Sequence, residues 1–127
     1  MHTNDTIVVG LDFDGTVVYH RYPQLGDWLP GAQEALLQIQ RDGHKIVLNT
    51  MRSCVELAQA VQLLHSIGIE LYGINTNPTQ SSWTSSPKVL ADLYIDDCGY
   101  GMPLIHPEQD RPYVDWSKID IDSFRHL

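Results

Sequence analysis

Asp12 and Asp14 stand two residues apart at the end of an apolar run, Ile7-Val8-Val9-Gly10-Leu11, and are followed by Gly15 and Thr16. Strand side chains alternate faces, so carboxylates at this spacing leave the strand's end on the same side, with Cα atoms about 6–7 Å apart. Like charges that close in an apolar sheet are costly unless a cation or a shared proton relieves them. Gly15 lets the chain turn away sharply and leaves both acids at the lip of the sheet. A simple strand-end turn accounts for Asp14-Gly15 but not for Asp12, which interrupts the apolar run.

Three later positions could complete a site: Thr50 at the end of the run Lys45-Ile-Val-Leu-Asn-Thr50, Lys88, and the pair Asp96-Asp97 closing Asp92-Leu-Tyr-Ile-Asp96. Acids, a hydroxyl and a lysine together suit phosphoryl transfer assisted by a hard cation. Magnesium takes oxygen ligands and keeps several waters, so a few carboxylates and a phosphate oxygen suffice. One carboxylate can act as nucleophile, a second as general acid and then base, and a lysine and a hydroxyl can hold the phosphoryl oxygens. Each supporting residue also has an ordinary reading: Thr50 as a β-branched strand residue, Lys88 as a surface lysine, Asp96-Asp97 as a turn.

The elements that must position these residues alternate. A strand over 7–11 is followed by a turn-rich segment, about 17–29, that reads as a small hairpin or flap. A helix begins near Pro30 and stops at Gly43, with Ala32, Ala35, Leu36 and Ile39 on one face. After the second strand, Ser53-Cys-Val-Glu56 matches a capping box that starts a helix running to Gly68. A third strand covers 69–75, and a long polar connection, 76–87, leads through a short piece at 88–91 to the fourth strand. The tail, about 103–127, is rich in proline and aromatics and ends in a predicted short helix near 117–127. Strands separated by helices predict an α/β fold, a mostly parallel sheet with helices on both faces. Ligands bind such folds beyond the carboxyl ends of the strands, which is where the candidate residues gather.

In this order the motifs resemble those of the haloacid dehalogenase (HAD) superfamily: Asp12-Phe13-Asp14-Gly15-Thr16 as D-x-D-G-T, then Thr50, Lys88 and Ile95-Asp96-Asp97. The resemblance spans residues 7–97. It implies a Rossmann-like core in which the first and fourth strands are neighbours, and a magnesium-dependent phosphatase acting on a small phosphomonoester through an aspartyl-phosphate. Asp12 would be nucleophile and metal ligand, and Asp14 the general acid/base with its carbonyl on the metal. Thr50 and Lys88 would bind phosphate. Asp97 would be the direct metal ligand, with Asp96 beside it or acting through water. The segments 17–31 and 76–87 are too short to form the cap domain many members carry, so the chain resembles the small capless branch. Among other residues, Arg52 is a candidate substrate contact or an ordinary exposed arginine, His20 sits where the flap would overhang the site, and Asn77 could shape specificity or belong only to a polar loop. An open site also gives the chain a reason to form homo-oligomers.

The 127 residues suit one domain, with 43% hydrophobic content and no run long enough to cross a bilayer. Sixteen acids against eight Lys plus Arg give a formal net charge of −8, which argues against a nucleic-acid partner but not against a small phosphorylated substrate. A polar N-terminus and two cysteines without metal-binding spacing predict a cytoplasmic protein. Two other readings compete: a phospho-receiver module, whose order of acids and lysine differs from this one, and a catalytically weak HAD-like binding or regulatory protein.

Overall fold

A computed structural model describes residues 6–122 of the chain. Four strands, β1 (Val8–Leu11), β2 (Lys45–Leu48), β3 (Leu71–Ile74) and β4 (Leu93–Ile95), form one parallel sheet in the order β3-β2-β1-β4. The fold is α/β and Rossmann-like, with β1 at the centre beside both β2 and β4. Placing β1 centrally brings the ends of β2 and β4 to either side of Asp12.

Alternation along the strands divides the two faces of the sheet. Val9 and Leu11 of β1 and Ile46 and Leu48 of β2 join one buried cluster with two helices, α1 (Ala32–Arg41) and α2 (Cys54–Ser66). Leu36 and Ile39 of α1 and Ala60 and Leu64 of α2 supply its helical side, as the helical spacing of these apolar residues requires. Gly10, Val47 and Gly73 form a row on the opposite face. A Cβ at Gly10 would lie 2.8 Å from the Tyr94 ring and one at Gly73 2.0 Å from the Thr76 carbonyl oxygen. The missing side chains therefore let the Tyr94 ring of β4 lean over β1 at Gly10 and the turn after β3 close against Gly73. The only regular helix in the connection from β3 to β4 is one 3-10 turn, Gln80–Ser82, and residues 88–91 form no regular element.

Helix α1 starts at Ala32, two residues after Pro30, because Gly31 takes a left-handed φ of 79° as its N-cap. Gly43 (φ 90°) and Gly68 (φ 92°) follow the ends of α1 and α2 as expected. The expected capping box does not form: Ser53 is the N-cap of α2 but makes no side-chain cap hydrogen bond. Cys54, with φ 52°, turns the first residue of the helix out of the geometry such a cap needs. The flap is a hairpin, as expected, with Val18 bridging Trp28 and the Tyr19 N–H donating to the Asp27 carbonyl at 2.9 Å.

The tail departs from expectation. Two short antiparallel strands, β5 (Leu104–Ile105) and β6 (Tyr113–Val114), precede a 3-10 turn, Trp116–Lys118. The predicted helix near 117–127 falls partly on 123–127, outside the described residues. Among the described residues, no helix is long and apolar enough to cross a membrane.

Candidate active site

β1 ends at Leu11, so Asp12 and Asp14 both lie just beyond it. The Asp12 N–H still donates to the Ile95 carbonyl at 3.0 Å, anchoring Asp12 beside the end of β4. The loop then folds over Phe13, whose carbonyl accepts from the Thr16 and Val17 N–H groups at 3.1 and 2.7 Å. Gly15 adopts φ 82°, and a Cβ there would lie 2.3 Å from Asp97 Oδ2. Backbone conformation and the close approach of Asp97 both require glycine at this turn.

Thr16 links the two acidic segments. Its hydroxyl donates to Asp12 Oδ2 at 2.8 Å and accepts from the Asp97 N–H at 3.0 Å. Thr16 is fully buried, and the Trp116 indole N–H donates to its carbonyl at 2.7 Å. The Val114 N–H donates to the Gly15 carbonyl at 3.0 Å. The tail thus buttresses the D-x-D-G-T loop itself, a role the sequence reading did not give to Trp116.

Asp12, Asp96 and Asp97 form a cluster of like charge. Burial foremost, with the charges of Asp96 and Asp97 adding, pushes the Asp12 carboxyl up to about 8, while the Thr16 hydroxyl bond opposes the shift. Burial also raises Asp97, and its side-chain hydrogen bond with Asp12 opposes that shift. Asp96 Oδ1 accepts from the Cys98 N–H at 2.9 Å, so one of its oxygens is turned into its own loop. Ligand atoms of Asp96, Asp97 and Cys98 lie within 4.8 Å of one another. The Asp97 charge, then burial, pushes the Cys98 thiol up, which keeps it protonated and a poor ligand. Among the described residues, no basic side chain forms an ion pair with Asp12, Asp96 or Asp97.

Asp14 is relieved differently. Arg52 donates from Nε to its Oδ2 and from Nη2 to its Oδ1, both at 2.8 Å. Arg52 is 2% exposed, and this fork raises its own pKa further. The structure therefore places Arg52 against Asp14, with its guanidinium buried rather than presented to a substrate.

Thr50 sits just past β2. Its N–H donates to Asn75 Oδ1 at 2.8 Å, and its Oγ1 accepts from the Arg52 N–H at 3.1 Å. Asn75 has φ 54°, a left-handed conformation that asparagine tolerates, and so holds the loops after β2 and β3 together. Lys88 is exposed, and its side chain makes no hydrogen bond or ion pair among the described residues. Its backbone is fixed by the buried Gln80, whose amide donates to the Ser86 and Lys88 carbonyls and accepts from the Leu90 N–H.

Asn77 is 2% exposed, with its amide on the Leu90 carbonyl and its Oδ1 accepting from the Thr79 N–H and hydroxyl. These bonds correct the expectation of a substrate contact: Asn77 is part of the loop's scaffold. His20 is half-buried on the flap, its carbonyl accepting from Arg21 at 3.1 Å. Thr16, Asn75, Gln80 and Trp116 help build the site, and the sequence reading placed none of them there as a working side chain. Only Thr16, inside the D-x-D-G-T motif, carried a signal.

A solved structure described as that of the conserved protein coded by a locus from Bacteroides thetaiotaomicron is similar to this chain. The two are 35% identical, the match covers 76% of this chain and 79% of that one, and the TM-score is 0.70. The chain belongs to the family of that Bacteroides thetaiotaomicron protein. No family model matches the chain, and neither does any curated protein.

Proposed function

We propose that the protein is a magnesium-dependent phosphatase of the haloacid dehalogenase type, hydrolysing a small phosphomonoester through an aspartyl-phosphate. The observation that carries this reading is the convergence of Asp12, Asp96 and Asp97, none of which forms an ion pair with a basic side chain among the described residues. The neighbourhood of β1 and β4 supports it, since the D-x-D and Asp-Asp motifs meet only in such a sheet. The order β3-β2-β1-β4 also differs from the 2-1-3-4-5 order of receiver-type sheets.

The donor set fits a hard cation, being carboxylate oxygens that repel one another at one sheet edge. Asp12, Asp97 and the Asp14 carbonyl would hold magnesium, with Asp96 alongside. When bound, the cation supplies positive charge that keeps Asp12 ionised and offsets charge on the phosphoryl oxygens.

In the first step an Asp12 carboxylate oxygen attacks phosphorus, and the bond to the leaving oxygen breaks as Asp14 gives that oxygen a proton. Water then gives a proton to Asp14 and attacks phosphorus, releasing inorganic phosphate and restoring the Asp12 carboxylate. The Thr50 oxygen accepts from the Arg52 N–H, which leaves its own O–H to donate to a phosphoryl oxygen. Lys88 would serve the same task. Exposed free thiols at Cys54 and Cys98 suit a reducing compartment, the cytoplasm.

Acid-quenched peptide mapping by mass spectrometry tests this reading. In Asp14→Asn incubated with magnesium and an aryl phosphate, a phosphoryl group should accumulate on the peptide that carries Asp12. Phosphate release with no such adduct, or an adduct on another residue, would overturn it. The fork of Arg52 on Asp14 is the one observation favouring a catalytically weak protein, because it withholds the proposed acid.

A further inference from the structure

Arg52 has five N–H donors, and all five are engaged. Two go to the Asp14 carboxylate at 2.8 Å. The others go to the carbonyls of Gln24 at 2.8 Å, Glu56 at 3.4 Å and Pro23 at 3.5 Å. The guanidinium also faces the rings of Phe13 and Tyr22, at 5.2 and 5.3 Å from their centroids. Tyr22, Pro23 and Gln24 belong to the flap. One buried cation therefore holds an acid of the site and the tip of the flap at once, and no N–H remains to bind a phosphate. On the flap's other side, Arg21 forks onto Asp110 of the tail, through Nη1 at 3.1 Å and Nη2 at 2.8 Å.

We propose that Arg52 is a positioning residue that binds the Asp14 carboxylate and the flap tip, Tyr22–Gln24, into one unit, so that neither moves without the other. The catalytic consequence rests on the phosphatase reading, in which Asp14 gives a proton to the leaving oxygen. Asp14 with both oxygens on the guanidinium can only accept. To reach a leaving group it must leave the fork, and the guanidinium's remaining partners on the flap then decide where it settles. A substrate that displaces the flap tip frees Asp14, and the flap supplies the gating that a cap would otherwise provide.

Two variants of the full chain separate this role from simple packing. Arg52→Lys keeps the charge but loses the fork, and Asp14→Asn keeps the shape but loses the carboxylate. Hydrogen exchange is read at the flap N–H groups of Tyr19 and Gln24, which donate to Asp27 and Arg21. Exchange should be about tenfold faster or more in both variants, as expected for losing charge-assisted hydrogen bonds, with β2 unchanged. With an aryl phosphate and magnesium, Arg52→Lys should change kcat by about tenfold or more, because Asp14 is no longer held in the fork, and leave KM within about threefold. Flap exchange in Asp14→Asn equal to wild type would overturn the coupling. A raised KM with unchanged kcat in Arg52→Lys would make Arg52 a substrate ligand and overturn the positioning role. A wild-type protein without turnover would refute the phosphatase reading, while the exchange comparison would still decide the coupling.

Discussion

Asp12 makes the metal-free protein depend on pH in a direction opposite to most paired carboxylates. Its folded pKa stands near 8 against an ordinary value of 3.8, chiefly because it is buried. Between those values the folded state holds a proton that the unfolded state has released, so this group's contribution is full below about pH 4 and is lost as pH rises to about 8. Asp97 shifts the same way. Urea denaturation in excess chelator should therefore show stability falling from about pH 5 to about pH 8, and Asp12→Asn should flatten that fall. A wild-type curve that rises over this range would contradict the described environment of Asp12. The spacing of Asp12 and Asp14 was legible in the sequence, but their division was not. Arg52 relieves one and leaves the other among acids, and Arg52 is 38 residues from Asp14 in the chain.

At the scale of elements, the strands and both helices follow from apolar periodicity, with Gly43 and Gly68 as stops. The capping box at Ser53 did not form because the chain turns left-handed at Cys54, a tertiary demand that local sequence does not display. The connection 75–92 was the least legible element, because its order rests on buried amides rather than on a period. Gln80 makes three hydrogen bonds to the backbone of Ser86, Lys88 and Leu90. Gln80→Ala should cost about 2–3 kcal/mol, at roughly 1 kcal/mol for each bond, and lower the melting temperature accordingly. On the phosphatase reading it should also raise KM, because Lys88 loses its fixed backbone. An unchanged melting temperature would mean that this amide does not organise the loop.

For the molecule as a whole, the α/β class and the parallel sheet were readable from the order of elements, and the neighbourhood of β1 and β4 followed only from the motif resemblance. The tail was not readable. β5, β6 and Trp116 act by covering the D-x-D-G-T loop, and the two lie 100 residues apart along the chain at the bond from Trp116 to Thr16. With a formal net charge of −8 and Asp12, Asp96 and Asp97 gathered at one sheet edge, the protein should be stabilised by a bound cation. Magnesium at about 100 times its Kd should add about 2.7 kcal/mol to stability by mass action. Thermal melts with magnesium and with chelator measure this, and Asp97→Asn should remove most of the difference. A melting temperature indifferent to magnesium would count against a cation at this edge.

Phosphate release tests the central claim most directly. A panel of sugar phosphates, nucleotides and an aryl phosphate is assayed with magnesium, with excess chelator, and with Asp12→Asn in parallel. The account predicts turnover that requires magnesium and disappears in Asp12→Asn, with the best substrate naming the class. Turnover that survives in Asp12→Asn, or a folded, magnesium-bound protein that releases phosphate from none of the esters, would contradict it.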